Sequence, residues 1–321
     1  TRSHTLSRSA ACGLIASGAL RSDGAQVEYW VCRRGLHPCV LGTDLRAPQA
    51  APPCSPCLEL SGAIYSTPRV LTLTPDAAEV DRRRREWERL PLDRLVAWEQ
   101  DGLALGELTL PSVRWILRRH RLSDTAEVRA LFAAYLASAA GMAQTFRRAL
   151  EERNPRALVV FNGIFYPEAV ARRMAQQAGV PVVTHEVGLR PMSAFFSHRE
   201  ATFRELPAPQ PLTREQDAVL DEVLARRFRG DFTMAGVRFW PAMKGLPQRL
   251  KARLADGRPL VSVFTNVIFD TSQVHANVLF ADMFAWLDEL VKIFETETQT
   301  LFVLQRPGTT FEQSLFLRPA F

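Results

Sequence analysis

The stretch from Asp124 to Glu186 constrains the fold more than any other part of the chain. Asp124-x-x-Glu127 reads as a capping box, a short acceptor side chain followed three residues later by glutamate, ahead of a long helical pattern. Leu131, Phe132, Tyr135, Leu136, Met142, Phe146 and Leu150 supply its apolar stripe, and Asn154-Pro155 stops it. Residues 157–161 then form a five-residue apolar run, Asn162-Gly163 a turn, Pro167 a helix start and Gly179 a helix end, and residues 180–184 a second apolar run. Two buried-type strands joined by a helix predict a parallel βαβ unit. Ligands bind outside the carboxyl ends of such strands, which here carry Asn162 and Gly163 on one and His185 and Glu186 on the other.

The rest of the order supports an α/β chain. Residues 9–20 predict a short helix closed by Asp23-Gly24, and because the first residue is threonine the chain is expected to open inside a longer sequence. A signal peptide is the weaker reading, since the apolar core is thin and no small-x-small cleavage site follows. Residues 27–32 predict a strand, 33–58 a loop rich in proline and cysteine, and 64–73 a second β-prone stretch. Residues 76–100 and 112–121 read as helical, with Pro91 and Pro111 as interruptions. A proline-rich connector leads to a second capping box, Thr213-x-x-Gln216, opening a helix to about Arg229. From Arg258 the strand-helix-strand pattern returns, with strands at 259–264 and 301–304 and an amphipathic helix at 277–294. The expected division is an N-terminal domain over 1–206, a connector over 207–257 and a partial C-terminal domain over 258–321. The last is shorter than the ~100 residues a doubly wound domain usually needs.

Composition narrows the function. With 321 residues, 47% hydrophobic and 23% charged, the chain is neither disordered, collagenous nor a disulfide miniprotein. No window approaches the roughly 18 apolar residues of a spanning helix, so the expectation is a soluble protein or one peripheral to a membrane. Net charge is +6, yet 37 of the 40 basic residues are arginine, since only Lys244, Lys251 and Lys292 are lysines (40 − 3). These arginines alternate with acids over residues 81–88 and 147–153, which is a solvated helix face and not a stripe for nucleic acid. No nucleic-acid partner is expected. The Arg82 to Arg85 run offers at most a weak attraction for anionic lipid or a nucleotide sugar.

Cys32, Cys39, Cys54 and Cys57 are spaced C-x6-C-x14-C-x2-C, and the Cys-x-x-Cys pair is the tightest two-thiolate chelate a chain offers zinc. A structural zinc would order the long loop, with His37 as a reserve ligand. The alternatives are reduced thiols or one disulfide between Cys54 and Cys57. Glu186, at a strand end, has the chemistry of a general base on a hydroxyl, and the His185 or His198 imidazole that of a group stabilising a leaving phosphate. Equally, these three satisfy loop backbone groups. Thr265, Asn266 and Asp270 place hydroxyl, amide and carboxylate before a helix start, as a phosphate or ribose site requires, or simply cap that helix. There is no P-loop, G-x-G-x-x-G, G-x-S-x-G or Asp-x-Asp, so neither nicotinamide nor flavin is expected.

Three stretches resemble the bacterial capsular and surface polysaccharide biosynthesis proteins, glycosyltransferase-like enzymes of the GT-B type. They are the cysteine-bearing loop, the segment from Ala157 through His185 and Glu186 to His198, and Phe264-Thr-Asn-Val-Ile-Phe-Asp270 with Met283-Phe-Ala-Trp-Leu287. The resemblance implies two Rossmann-like domains. A glycan or lipid-linked acceptor would lie on the first and a nucleotide sugar on the second, in a cytoplasmic protein at most peripheral to the inner membrane. Relatives carry His-Pro after the strand at 301–304, where this chain has Gln305-Arg306-Pro307, and residues 308–321 no longer resemble the family. The expectation is an incomplete donor domain and a chain inactive in transfer as given. A non-catalytic, metal-bearing scaffold of a biosynthetic complex is the rival reading. An epimerase or dehydrogenase lacks the dinucleotide fingerprint it would need.

Overall fold

A computed structural model describes residues 8–36, 38–40, 42–44, 52, 54–64, 70–73, 75–188, 193–202, 208–229, 231, 248, 251–252, 255, 257, 260–296, 301–305 and 315–317. The chain is mixed α/β and divides into two compact units, residues 1–209 and 210–321.

The first unit is organised around one helix, α6 (Ala126–Arg153), which follows α1 (Arg8–Ser22), α2 (Cys54–Ile64), α3 (Ala77–Trp87), α4 (Leu92–Val96) and α5 (Leu105–Leu117). The expected stripe is buried, with Leu131, Phe132, Tyr135, Leu136 and Met142 each at 1% exposure or less. Ala133, Ala134, Ala137, Ala139 and Ala140 are buried as well, so the helix is enclosed on nearly all sides. These small side chains let neighbours come close: a Cβ on Gly141 would stand 2.7 Å from Val80 Cγ2 of α3. The cap differs from expectation by one residue. Thr125 is the N-cap, accepting the Val128 N–H, while Asp124 accepts the Leu92 N–H at 3.4 Å and the Arg129 guanidinium at 2.8 Å. Asn154, at φ +41°, closes the other end.

Two proline expectations resolve differently. Pro91 separates α3 from α4 as expected, but Pro111 lies inside α5, and that helix begins at Leu105 and ends at Leu117. Burial of Leu105, Val113 and Ile116 against the α6 core outweighs the hydrogen bond that Pro111 cannot donate. On α3 Arg82 and Arg85 are exposed as expected of a solvated face, whereas Arg83 lies over Trp87 and donates to Gln100, and Arg82 and Arg83 hold the Glu79 carboxyl down to about 2, mainly through hydrogen bonds.

The described residues of the cysteine-bearing segment are held by apolar and tyrosine contacts. Leu36 and Val40 are buried in the α6 core. Thr43 bonds the Tyr135 hydroxyl at 3.0 Å, and the Tyr166 hydroxyl bonds the Pro38 carbonyl and Ser138. The loop is also shorter than expected, because α2 starts at Cys54, and Ile64 belongs to that helix and not to a strand. The β-prone stretches pair in parallel as β1 (Tyr29–Cys32) and β2 (Val70–Leu73).

The βαβ unit is present. β3 (Leu158–Phe161) pairs in parallel with β4 (Val182–Val187) across α7 (Glu168–Gln177). The helix ends in a Schellman motif, with Gly179 at φ +72° and the Val180 N–H reaching the Ala175 carbonyl at 2.8 Å. A third strand not foreseen from the sequence, β5 (Ala194–Ser197), adds antiparallel to β4. Among the described residues the first unit therefore holds a two-stranded and a three-stranded sheet.

The second unit repeats the pattern of a parallel pair with an antiparallel third strand. It opens with α8 (Arg214–Phe228), closed by the expected Thr213/Gln216 capping box. β6 (Leu260–Phe264) pairs in parallel with β7 (Leu301–Gln305), and β8 (Leu315–Leu317) runs antiparallel to β7. The connecting helix α9 (Met283–Thr296) starts later than the expected residue 277. Residues 271–273 form a 3-10 turn instead, and the Asp282 carboxylate accepts the Ala285 N–H at 2.9 Å in the first turn of α9. No helix among the described residues is long and apolar enough to cross a membrane.

Candidate functional site

The carboxyl ends of β3 and β4 bring together a compact polar group. Asn162 follows β3 at φ +57°, a left-handed turn that asparagine tolerates, and Gly163 continues it at φ +80°. A Cβ at Gly163 would lie 3.1 Å from both Arg172 Cδ and Thr184 Cγ2, so the turn is closed tightly on its neighbours. The turn points the buried Asn162 amide at β4, where Nδ2 donates to Glu186 Oε2 at 2.7 Å. Oε1 of the same carboxylate accepts the Val187 N–H at 2.8 Å. Glu186 is thus half-buried with both oxygens held, and each oxygen keeps a further lone pair for a ligand.

Three residues with no local signal complete the group. Arg172 of α7 donates to the Gly163 carbonyl at 3.2 Å and pairs with Glu200 Oε1 at 2.7 Å, both side chains being 11% exposed. Thr184, fully buried, donates toward the Arg199 and Ser197 carbonyls. The Asn162 carbonyl accepts the Ala201 N–H at 3.1 Å. The segment after β5 is thereby tied onto the ends of β3 and β4. Arg172 and Glu200 are 28 residues apart, and only the unforeseen β5 returns the chain to this place.

The other expected members do not converge on Glu186. Successive strand residues face opposite sides, so His185 points to the sheet face away from the carboxylate. It lies between Phe161 and Phe196, with ring centroids at 5.5 and 6.1 Å, and burial pushes its pKa below the usual histidine value. His198 is exposed just after β5. In the second unit Asn266 Nδ2 donates to Ser272 at 3.3 Å and the Ser272 hydroxyl donates to Asp270 at 2.8 Å, with Thr265 half-buried beside them. The Asp270 side chain makes no capping bond to the 3-10 turn that follows it.

The cysteines are partly gathered. Cys54 and Cys57 occupy the first turn of α2, and Cys39 is near enough that its field and that of Cys57 add to burial in pushing the Cys54 thiol up, against Arg34. All are half-buried and outside any disulfide among the described residues, and Cys32 lies on β1. Among the described residues no three histidine, cysteine or acidic side chains form a ready ligand set. A protonated Cys54 would have to lose its proton before it bound zinc. His37 lies outside the described residues.

No protein-family model, no curated protein and no solved structure matches the chain.

Proposed function

We propose that the protein is a glycosyltransferase-like enzyme of bacterial surface polysaccharide assembly, built on two Rossmann-like halves of the GT-B type. The observation that carries this reading is the Asn162–Glu186 hydrogen bond, which fixes a carboxylate at the carboxyl ends of two parallel strands. There Glu186 serves as general base. The acceptor hydroxyl oxygen attacks the anomeric carbon of the donor, its proton passes to a Glu186 oxygen, and the bond from that carbon to the phosphate oxygen breaks. The electron pair leaves with the nucleotide. Asn162 holds the carboxylate, and Gly163 lets the turn beside it close against Arg172 and Thr184. Thr265, Asn266 and Asp270 are the donor-side contacts for phosphate or ribose. The partners are then a nucleotide sugar and a glycan or lipid-linked acceptor, in a cytoplasmic setting with at most peripheral membrane contact. Neither nicotinamide nor flavin takes part.

The test is Glu186→Gln, which keeps the Asn162 side chain a partner and removes the base. Where sugar transfer is measured, kcat is expected to fall at least ~10²-fold with nucleotide affinity unchanged, as loss of proton transfer predicts. Unchanged turnover removes Glu186 from the mechanism.

A second reading is a metal-bearing scaffold without catalysis, in which Cys54 and Cys57 of α2, with Cys32 and Cys39, would close into a ligand set only as zinc bound. One zinc per chain, measured by elemental analysis and lost in Cys54→Ser, together with no nucleotide binding, would select it over the transferase.

A further inference from the structure

His185 is only 6% exposed, and its Nδ1 is buried with no hydrogen-bond partner. Buried polar atoms are nearly always paired, so this one requires an explanation. Its surroundings are apolar or uncharged. Phe161 and Phe196 flank the ring in the sheet, and α1 covers it, with Gly13 placed so that a Cβ would stand 3.9 Å from Nε2. Protonation would put a charge and a second N–H into this slot with nothing among the described residues to receive either.

The cover itself is lightly held. Ser17 is its one buried residue among those described, bonded to the Tyr29 hydroxyl, and Leu14 leans on Tyr29 and Val31. Ile15 and Leu20 face water at 59% and 43% exposure. Such a helix belongs to the weakly stabilised parts of a fold, which open locally without global unfolding.

We infer that α1 is a pH-sensitive cover, closed over the β3–β4–β5 sheet while His185 is neutral and released when the imidazole takes up a proton. Among the described residues no other ionisable group competes for the role. β3 and β5 contain none, Glu186 faces the opposite side of β4, and His198 is exposed beyond β5. On α1 itself Cys12 adjoins Gly13, and Arg8 and Arg21 stand near the two ends of the helix. The sign follows from linkage. Burial lowers the pKa in the closed form, whereas the open form has the ordinary value of 6.5, so the open form binds protons more strongly. Closure is complete above that value and is lost as pH falls below it toward the closed-form pKa.

The cover rests on no part of the transferase reading, and its test needs no activity. Hydrogen exchange of α1 peptides, corrected for intrinsic rates, is expected to show less protection at pH 5.5 than at pH 7.5, by up to about ten-fold, the limit set by one group of ordinary pKa in the open state. Peptides of α6 are expected to stay protected. In His185→Phe, which fills the slot without titrating, α1 protection is expected to be independent of pH. Independently of that variant, the imidazole of the unaltered protein, followed by NMR, is expected to titrate below 6.5. Unchanged α1 protection, an equal loss in α6, or an imidazole titrating at or above 6.5 would each overturn the inference.

Discussion

Gly106→Ala is expected to destabilise the first unit by at least about 3 kcal/mol, although glycine to alanine within a helix ordinarily stabilises by about 1 kcal/mol. Gly106 lies in the first turn of α5 where it meets the end of α4. An added Cβ would stand 2.1 Å from the Val96 carbonyl oxygen and 2.3 Å from that of Leu95. Those atoms are backbone, so no rotamer change relieves the clash, and α4 would have to move as a body. Leu95 and Leu105 on either side are completely buried, so that movement would open the core. Gly62 in α2, with nothing among the described residues within 4 Å of its Cβ position, is the control and is expected to gain stability on the same change. Urea denaturation of the two variants decides the matter. A Gly106→Ala protein within 1 kcal/mol of the unaltered chain would show that the α4–α5 contact is not as close as described.

Breaking the Arg172–Glu200 pair is the second large effect. Its two side chains are each 11% exposed and 2.7 Å apart, so either residue alone would leave a charge in a poorly hydrated place. Glu200→Gln and Arg172→Met are each expected to cost about 3–5 kcal/mol. The double change to apolar residues of similar volume is expected to recover most of the loss, because the cost of desolvating both charges disappears with them. Two independent, additive losses in the double-mutant cycle would mean the residues do not act as a pair. Arg172 also holds the Gly163 carbonyl, so Arg172→Met is expected to loosen the Asn162-Gly163 turn as well.

What the sequence revealed and what it hid divide along the range of the interactions. The α6 stripe, the βαβ unit, the Gly179 cap and the Thr213/Gln216 box are written in spacings of a few residues, and each appears in the structure. The strand ends at Asn162 and Glu186 were legible for the same reason. The opposite facing of His185 was present in the period-two alternation of a strand, but two adjacent polar residues invite a joint role that a strand forbids. β5 was hidden because its four residues, Ala-Phe-Phe-Ser, carry no alternation. With it went the approach of Glu200 to Arg172. The helix through Pro111 and the start of α2 at Cys54 depend on tertiary burial, against which local proline and loop signals are weak. The described residues of the cysteine-bearing segment are held through Leu36, Val40 and the two tyrosines, distant residues whose partnership no spacing announces.

Calorimetric titration with a panel of nucleoside diphosphates and their sugars tests the proposed handling of a nucleotide-activated sugar. Micromolar binding of one nucleotide is expected, weakened by Asn266→Ala and Asp270→Ala and unaffected by Glu186→Gln. The absence of binding by every member of the panel, in a protein shown by circular dichroism to be folded, would contradict it.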